Sequence, residues 1–500
     1  MRRLLLLLAL VLASPAAAAT IQGTLAGELL LGSPSPDRIK SGAGDDFVQA
    51  AFGGADQVDC GAGSDLVSAD LGDRVANCET VVRRLSVDPY LSSDGQHETA
   101  VEPDSFSFGS TIVAAFQLGR RDAGASANIG TAVSRDAGRT WRRSLLPEVT
   151  AASTPAGPET AASDPSVAYD AVHGIWLVGM LTLEPGNSHV YVARSTDGAS
   201  WSPPVDIASG RLLDKDWLVC DNGAASPYRG RCYAEYTDDE RNDTVSQFTT
   251  DGGVTWSAPV RSTSTLVGTQ PVVRADGTLV VVAGDYNGSA ALTGSIVAVR
   301  STDGGATFTR TTVSSLKAHD NDPMRAIALP SVDIDSAGTI YASWHDCRFR
   351  TGCTSNDMVI STSADGGLTW AAPVRVPIAP VTSSVDVFIP GLAADPAQPG
   401  HLALVYAYYA TTCRSGACTL GIGFTTSPDG GATWTAPRRL HAQPFSTNWL
   451  PRAEGGRMVG DYFSTSFAGD RVVPVFALAT SPLKGRFREA IFAASLPASG

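Results

Sequence analysis

From about residue 97 to its end the chain consists of short runs rich in β-branched and aromatic residues, set apart by turn residues. In one stretch the runs read PSVDID, TIYASW, DMVISTS and TWAAPVRV, and each predicts a strand. Long helical periodicity is absent, so the expected class is all-β. Ahead of these strands an Asp-x-Ile/Val pattern recurs at Asp37, Asp46, Asp56, Asp65 and Asp73, in steps of 9, 10, 9 and 8 residues. Glycines stand just before the acids in GAGDD, GGAD and GAGSD. Residues 1–19 differ from both regions. Their basic start, apolar run from Leu4 to Ala13 and small-residue end at Ala17 and Ala19 read as a secretory signal peptide cleaved near Ala19. The run is too short to span a bilayer comfortably, no later stretch reaches the needed length, and no Cys follows the cleavage point to carry a lipid. A soluble, secreted protein is expected.

A longer period organises the strands. The phrase Ser/Thr-x-Asp-x-Gly-x-Thr-aromatic occurs as SRDAGRTW from Ser134, STDGASW from Ser195, TTDGGVTW from Thr249, STDGGATF from Ser301, SADGGLTW from Ser363 and SPDGGATW from Ser427. The starts lie 61, 54, 52, 62 and 64 residues apart, which suits one four-stranded sheet per copy. Within the phrase, Asp can accept backbone N–H groups in a tight turn and Gly can take the positive φ the turn needs. The aromatic residues Trp141, Trp201, Trp256, Phe308, Trp370 and Trp434 suit burial between neighbouring sheets.

This phrase is the Asp box, and residues 97–500 resemble the sialidase-like, BNR-repeat proteins. The resemblance implies a β-propeller. After the last box the segments MVGDYFSTSF, RVVPVFALAT and FREAIFAASL look like a further unit without a box, so seven blades are expected, with six as the alternative. The strand missing from that unit could come from Thr80 to Pro89. The Asp-x-Ile/Val segment resembles the repeats-in-toxin nonapeptide, a parallel β-roll whose Asp side chains hold Ca²⁺. That resemblance implies Asp46, Asp56 and Asp65 as metal ligands. The expected organisation is a signal peptide at 1–19, a roll at 20–85, a linker at 86–96 and the propeller at 97–500.

Composition narrows the partners. A net charge of −13 argues against nucleic acid and anionic membrane surfaces. Eight cysteines in an exported chain predict four local bridges: Cys60 with Cys78, Cys220 with Cys232, Cys347 with Cys353 and Cys413 with Cys418. No CxxC or clustered Cys/His spacing supports zinc. Only four Lys stand against 33 Arg, so Arg abundance alone says little about anion binding.

Ligands of such a fold usually bind where inner strands open. The polar residues there are Glu98 or Glu102, Asp164, Lys215, Asp216, Gln270, Arg325, Asp386, Asp461 and Tyr462. The family resemblance adds roles. Arg325 in MRAIALP would clamp a carboxylate, although it lacks the Ile-Pro neighbours of sialidases, and HDCR offers Asp346 and Arg348. Asp357 would be general acid/base; Tyr462 would be the nucleophile, with Glu454 as its base, and Arg452 or Arg457 would complete the clamp. The expected substrate-binding set is Arg325, Arg348, Arg452, Asp164, Lys215, Asp216 and Asp461. The leading expectation is a monomeric, secreted, sialidase-like protein that handles glycans, with exo-α-sialidase hydrolysis of terminal sialic acids as one form of that activity. The alternatives are a non-catalytic propeller binding glycans or proteins at the cell surface, and another glycoside hydrolase or lyase.

Overall fold

A computed structural model describes residues 19–91, 94–122, 124–288, 291–411, 413, 416 and 418–498. The signal-peptide expectation falls almost wholly outside the described residues. The chain divides into two compact units, Met1–Val81 and Val82–Gly500.

The first unit is built from strands of three or four residues because its turns recur every eight to ten residues. Strands β1 (Thr20–Gln22), β3 (Arg38–Lys40), β5 (Gln57–Asp59) and β7 (Arg74–Ala76) form one parallel ladder. Strands β2 (Leu29–Leu31), β4 (Phe47–Gln49) and β6 (Leu66–Ala69) form the other. The apolar residue after each acid, Ile39, Val48, Val58 and Val67, points inward and joins Leu30 in a small core. Gly61 sits at φ +90°, where a Cβ would lie 1.8 Å from the Gly42 carbonyl oxygen, so the coils can stack only with glycine there. The disulfide between Cys60 and Cys78 ties the last coils together.

The second unit is a succession of antiparallel meanders. Strands 161–170, 175–184, 187–195 and 205–210 pair in order, as do 213–220, 232–238, 243–249 and 260–264. Each Asp box closes a turn between the third and fourth strands. In one, Asp251 Oδ1 accepts Val254 N at 3.0 Å and Thr255 N at 2.9 Å, while Gly253 N donates to Thr249 Oγ1 at 3.0 Å. The aromatics Trp201, Trp256 and Trp434 that follow are partly buried, each packed against a core cluster whose members come from successive meanders. At the C-terminus, Val82–Arg84 pair antiparallel with Ala494–Phe492, so the start of this unit supplies a strand to its end.

All eight cysteines pair as the spacing predicts. Besides the bridge in the first unit, Cys220 is bonded to Cys232, Cys347 to Cys353 and Cys413 to Cys418. Cys220 and Cys232 face each other as direct partners on adjacent antiparallel strands, which brings their side chains within bonding reach. Cys347 and Cys353 instead lie six positions apart in sequence, and Cys413 and Cys418 five.

The all-β class stands, at 51% strand. The seven-bladed propeller does not: the architecture is a β-solenoid of about four turns, not a seven-blade propeller. Nor are the later strands seven separate four-stranded sheets, because a Ser126↔Ala162 pairing joins two meanders into one eight-stranded sheet. The reason is physical. An Asp box reports one local turn, whereas the joining of sheets is decided by main-chain pairs between residues far apart in sequence. Among the described residues no helix is long and apolar enough to cross a membrane.

Candidate functional site

Three meanders open on strands that carry the same irregularity. The register of 100–108 against its neighbour slips near Glu102, that of 161–170 near Asp164 and that of 213–220 near Lys215. These residues have φ values of 52°, 47° and 48°. A side chain in the left-handed region costs about 1–3 kcal/mol and persists where surroundings enforce it. Each is a β-bulge that re-aims one charged side chain. Gly460 performs the matching task for Asp461, since a Cβ at Gly460 would lie 2.8 Å from Glu102 N.

The result is a buried charge cluster. Lys215 Nζ lies 3.2 Å from Asp461 Oδ2, 3.3 Å from Asp164 Oδ1 and 3.8 Å from Glu102 Oε1. Arg325 Nη2 reaches the same Asp461 oxygen at 2.8 Å, and its side chain is still 26% exposed. Gln117 Nε2 donates to Glu102 and, at 3.0 Å, to Ser163 Oγ, while its carbonyl oxygen accepts Arg120 Nη1 at 3.3 Å. Tyr462 is buried, with its ring 5.0 Å from Lys215 Nζ and edge-on to Trp217. Its hydroxyl donates to the Pro165 carbonyl at 3.2 Å.

Electrostatics follow from that packing. Burial and then the Asp164 charge push Glu102 up to about 8. Burial also pushes Asp164 up, but Lys215, a hydrogen bond from Glu102 and Arg325 hold it below its ordinary value. These directions favour keeping the proton on Glu102 and the negative charge on Asp164, beside the ammonium group. Burial disfavours the Lys215 charge, yet Asp164, Asp461 and Glu102 outweigh it and raise its affinity for the proton. Burial, Glu102 and Asp164 together raise Tyr462 well above the usual phenol range. Asp216 is also raised by burial and Asp164, and it accepts Ser166 Oγ at 3.3 Å. Lys215, Asp461 and Tyr462 of the cluster, with Trp217, Gln270 and Pro390, line a cavity of about 10 Å³, at the lower limit for one water.

Segments carrying three further arginines, the buried Arg120 among them, are tied together beside Arg325. Gln96 N donates to the Arg120 carbonyl at 2.7 Å, and the Gln96 amide clasps both Arg452 O at 2.8 Å and Arg452 N at 2.6 Å. Arg452 pairs across a two-stranded hairpin with Arg457, whose carbonyl accepts Arg325 N at 2.8 Å. Burial lowers Arg120, and among the charges it feels Arg325 lowers it while Glu102 opposes. Burial and then Arg452 lower Arg457.

The structure thus brings Asp164, Lys215, Asp461, Arg325 and Tyr462 together, with Asp216 at their edge. Other expected residues lie elsewhere. Asp357 is clasped by Arg350, at 2.6 and 2.7 Å, with Arg375 Nε 3.0 Å away. Arg348 folds back on Asp346 at 2.6 Å and on Ser314 at 3.0 Å. Glu454 is exposed at the hairpin tip, whereas Tyr462 is buried among Glu102 and Asp164, so the expected Tyr462–Glu454 pair is not formed. Asp386 accepts His319 Nδ1–H at 2.9 Å. Sequence reasoning missed Arg120, Gln96 and Gln117. The one signal was a polar residue inside the otherwise apolar run TIVAAFQLGR.

The acids expected to bind Ca²⁺ do not fit a calcium cage. Asp46, Asp56 and Asp65 each commit Oδ1 to a main-chain N–H. Among the described residues no group of three or more His, Cys, Asp or Glu is placed to hold a metal.

Comparison with known proteins places part of this chain. Residues 109–334 match the family model of the BNR repeat-like domain. No curated protein matches. A crystal structure of a protein of unknown function from Dyadobacter fermentans DSM 18053 is 15% identical, over 83% of this chain and 99% of that one, with a TM-score of 0.44. A Hadza microbial sialidase is 16% identical over 80% of this chain and 66% of its own, with a TM-score of 0.41. The endosialidase of phage phi92 is 11% identical over 96% of this chain and 76% of its own, with a TM-score of 0.48. The chain is similar to these structures, and its BNR repeat-like match covers residues 109–334.

Proposed function

We propose that the chain is a secreted, sialidase-like protein that holds acidic glycans by their carboxylate on the guanidinium face around Arg325. The observation that supports this most is the tie between the segments carrying Arg120, Arg452, Arg457 and Arg325, made by Gln96 and by the Arg325–Arg457 main-chain bond. Guanidinium groups match carboxylates in shape and charge, and Arg325 is the partly exposed member of the buried cluster. A terminal sialic acid is a ligand of this chemistry. The BNR repeat-like match and the four disulfides accord with a glycan-handling protein in an oxidising compartment.

A second reading is hydrolysis as an exo-α-sialidase. It draws on Tyr462, which lies among Glu102 and Asp164. Attack by Tyr462 would require its proton to leave, but the hydroxyl donates to a carbonyl and the surrounding acids oppose a phenolate. Binding is therefore the reading placed first.

Calorimetric titration of 3′-sialyllactose and lactose into wild type and Arg325→Ala tests the proposal. The sialylated sugar should bind and lactose should not. Arg325→Ala should weaken binding at least about tenfold, as expected for loss of a charge-assisted contact. Equal affinity for both sugars, or none for either, would remove the carboxylate reading. Turnover of a fluorogenic sialoside by wild type, abolished in Tyr462→Phe, would replace binding with hydrolysis.

A further inference from the structure

Each aspartate of the Asp-x-Ile/Val repeat, and Glu79 after it, accepts a main-chain N–H from the coil before it. Asp37 Oδ1 takes Ala19 N, Asp46 Oδ1 takes Glu28 N, Asp56 Oδ1 takes Asp37 N and Asp65 Oδ1 takes Asp46 N, all at 2.8 Å. Asp73 Oδ1 takes Asp56 N at 2.9 Å, and Glu79 Oε2 takes Asp65 N at 2.7 Å. Two lines result, 37–56–73 and 46–65–79. The aspartates reach across 17 to 19 residues of chain, while Glu79 reaches across 14. The longer side chain of glutamate suits that shorter last coil.

We propose that these six carboxylates register the coils by capping main-chain N–H groups, in the place that Ca²⁺ holds in the repeats this segment resembles. Ca²⁺ needs six to eight oxygen ligands. One oxygen of each acid is already committed. Main-chain carbonyls of the same turns are committed too: Asp37 O accepts Gln57 N, Asp46 O accepts Leu66 N, Gly42 O accepts Ala62 N and Thr24 O accepts Ala43 N. Among these six acids, the second oxygen of Asp46, Asp56 and Asp65 is buried and without a hydrogen-bond partner. Those three belong to two different lines, so one line offers two such oxygens at most. A capping role needs an acceptor and not a charge, so a side-chain amide can take it over.

Hydrogen exchange on the full-length protein distinguishes the two roles, because the donor amides themselves are the readout. It is followed with EDTA and with about 5 mM CaCl₂, above the dissociation constants of extracellular calcium modules. Asp56→Ala should lower protection of the Asp37 amide about tenfold, as expected for a lost charge-assisted hydrogen bond. Asp56→Asn should keep it within about twofold, since the amide oxygen still accepts. Ca²⁺ should change neither. The proposal fails if Ca²⁺ raises protection across the coils of the wild type and Asp56→Asn abolishes that gain. It also fails if Asn and Ala substitutions are equally harmful. Should Asp56→Ala unfold all the coils, Asp56→Asn still decides between the roles.

Discussion

The solenoid turns and the Lys215 cluster both bury carboxylates, but they compensate them differently. In the turns each acid meets a neutral N–H dipole of the chain itself. In the cluster Asp164, Asp461 and Glu102 meet the full charges of Lys215 and Arg325. A main-chain donor survives every substitution except proline, whereas any substitution of a lysine removes its ammonium group. The first arrangement therefore tolerates change at the acid and suits a scaffold. The second depends on every member, and its strained bulges at Glu102, Asp164 and Lys215 are of the kind found where function imposes geometry.

The difference is most sharply broken at Lys215. Lys215→Met should cost about 3–5 kcal/mol, because it leaves three buried acids around an apolar side chain. Chemical denaturation measures this, and a loss below about 1 kcal/mol would mean that the acids rehydrate or take up protons instead. Next in size is a pH effect. The Glu102 carboxyl is raised from 4.5 to about 8 on folding, so its contribution to stability is full below 4.5 and disappears as pH rises through about 8. The denaturation midpoint should fall as pH rises from 4.5 to about 8 and level off above, and Glu102→Gln should flatten that fall. An unchanged slope in the variant would assign the effect to another group.

A smaller loss is expected at the Asp boxes. Asp251→Ala removes acceptors for Val254 N and Thr255 N and should cost about 1–2 kcal/mol. Asp251 is lowered to about 2, against burial, by its bonds to Thr255, Thr249 and Val254. Its contribution is thus present above 3.8 and lost only as pH falls toward 2, the opposite sign from Glu102. Acid titration of wild type against Asp251→Ala reads this directly; a difference that grows at high pH would contradict it. The smallest effect belongs to Asp56→Asn, within about 0.5 kcal/mol on denaturation. Burial, together with Asp73, Asp37 and Asp70, pushes this carboxyl up to about 6 despite its hydrogen bond, so losing the charge also relieves repulsion.

Much of the local structure was legible in the chain. The Asp boxes are turns because Ser/Thr, Asp and Gly each carry a specific hydrogen bond or φ, and residues such as Trp201 and Trp434 are the partly buried aromatics that follow. The 8–10-residue step of Asp37 to Asp73 reads as stacked coils, and the cysteines pair with near neighbours, as Cys347 does with Cys353 and Cys413 with Cys418. The site was legible only in its ingredients. Asp164, Lys215 and Asp461 stand out as polar residues opening apolar strands. Arg120 and Gln96 carry no such signal, since their roles arise from contacts such as Gln96–Arg452, 356 residues apart. The exposed Glu454 and the Arg350-bound Asp357 show the converse: motif position named them, while neighbours distant in space gave them other surroundings.

By itself the sequence determined the all-β class, the turn positions, the parallel coils and the disulfide partners, because each depends on residues within about twenty positions of one another and on local φ preferences or periodicity. Tertiary structure alone decided how the meanders join, which acids share Lys215, and which arginines accompany Arg325. Those outcomes rest on bulges that re-aim side chains and on main-chain pairs between distant segments. No local pattern encodes either.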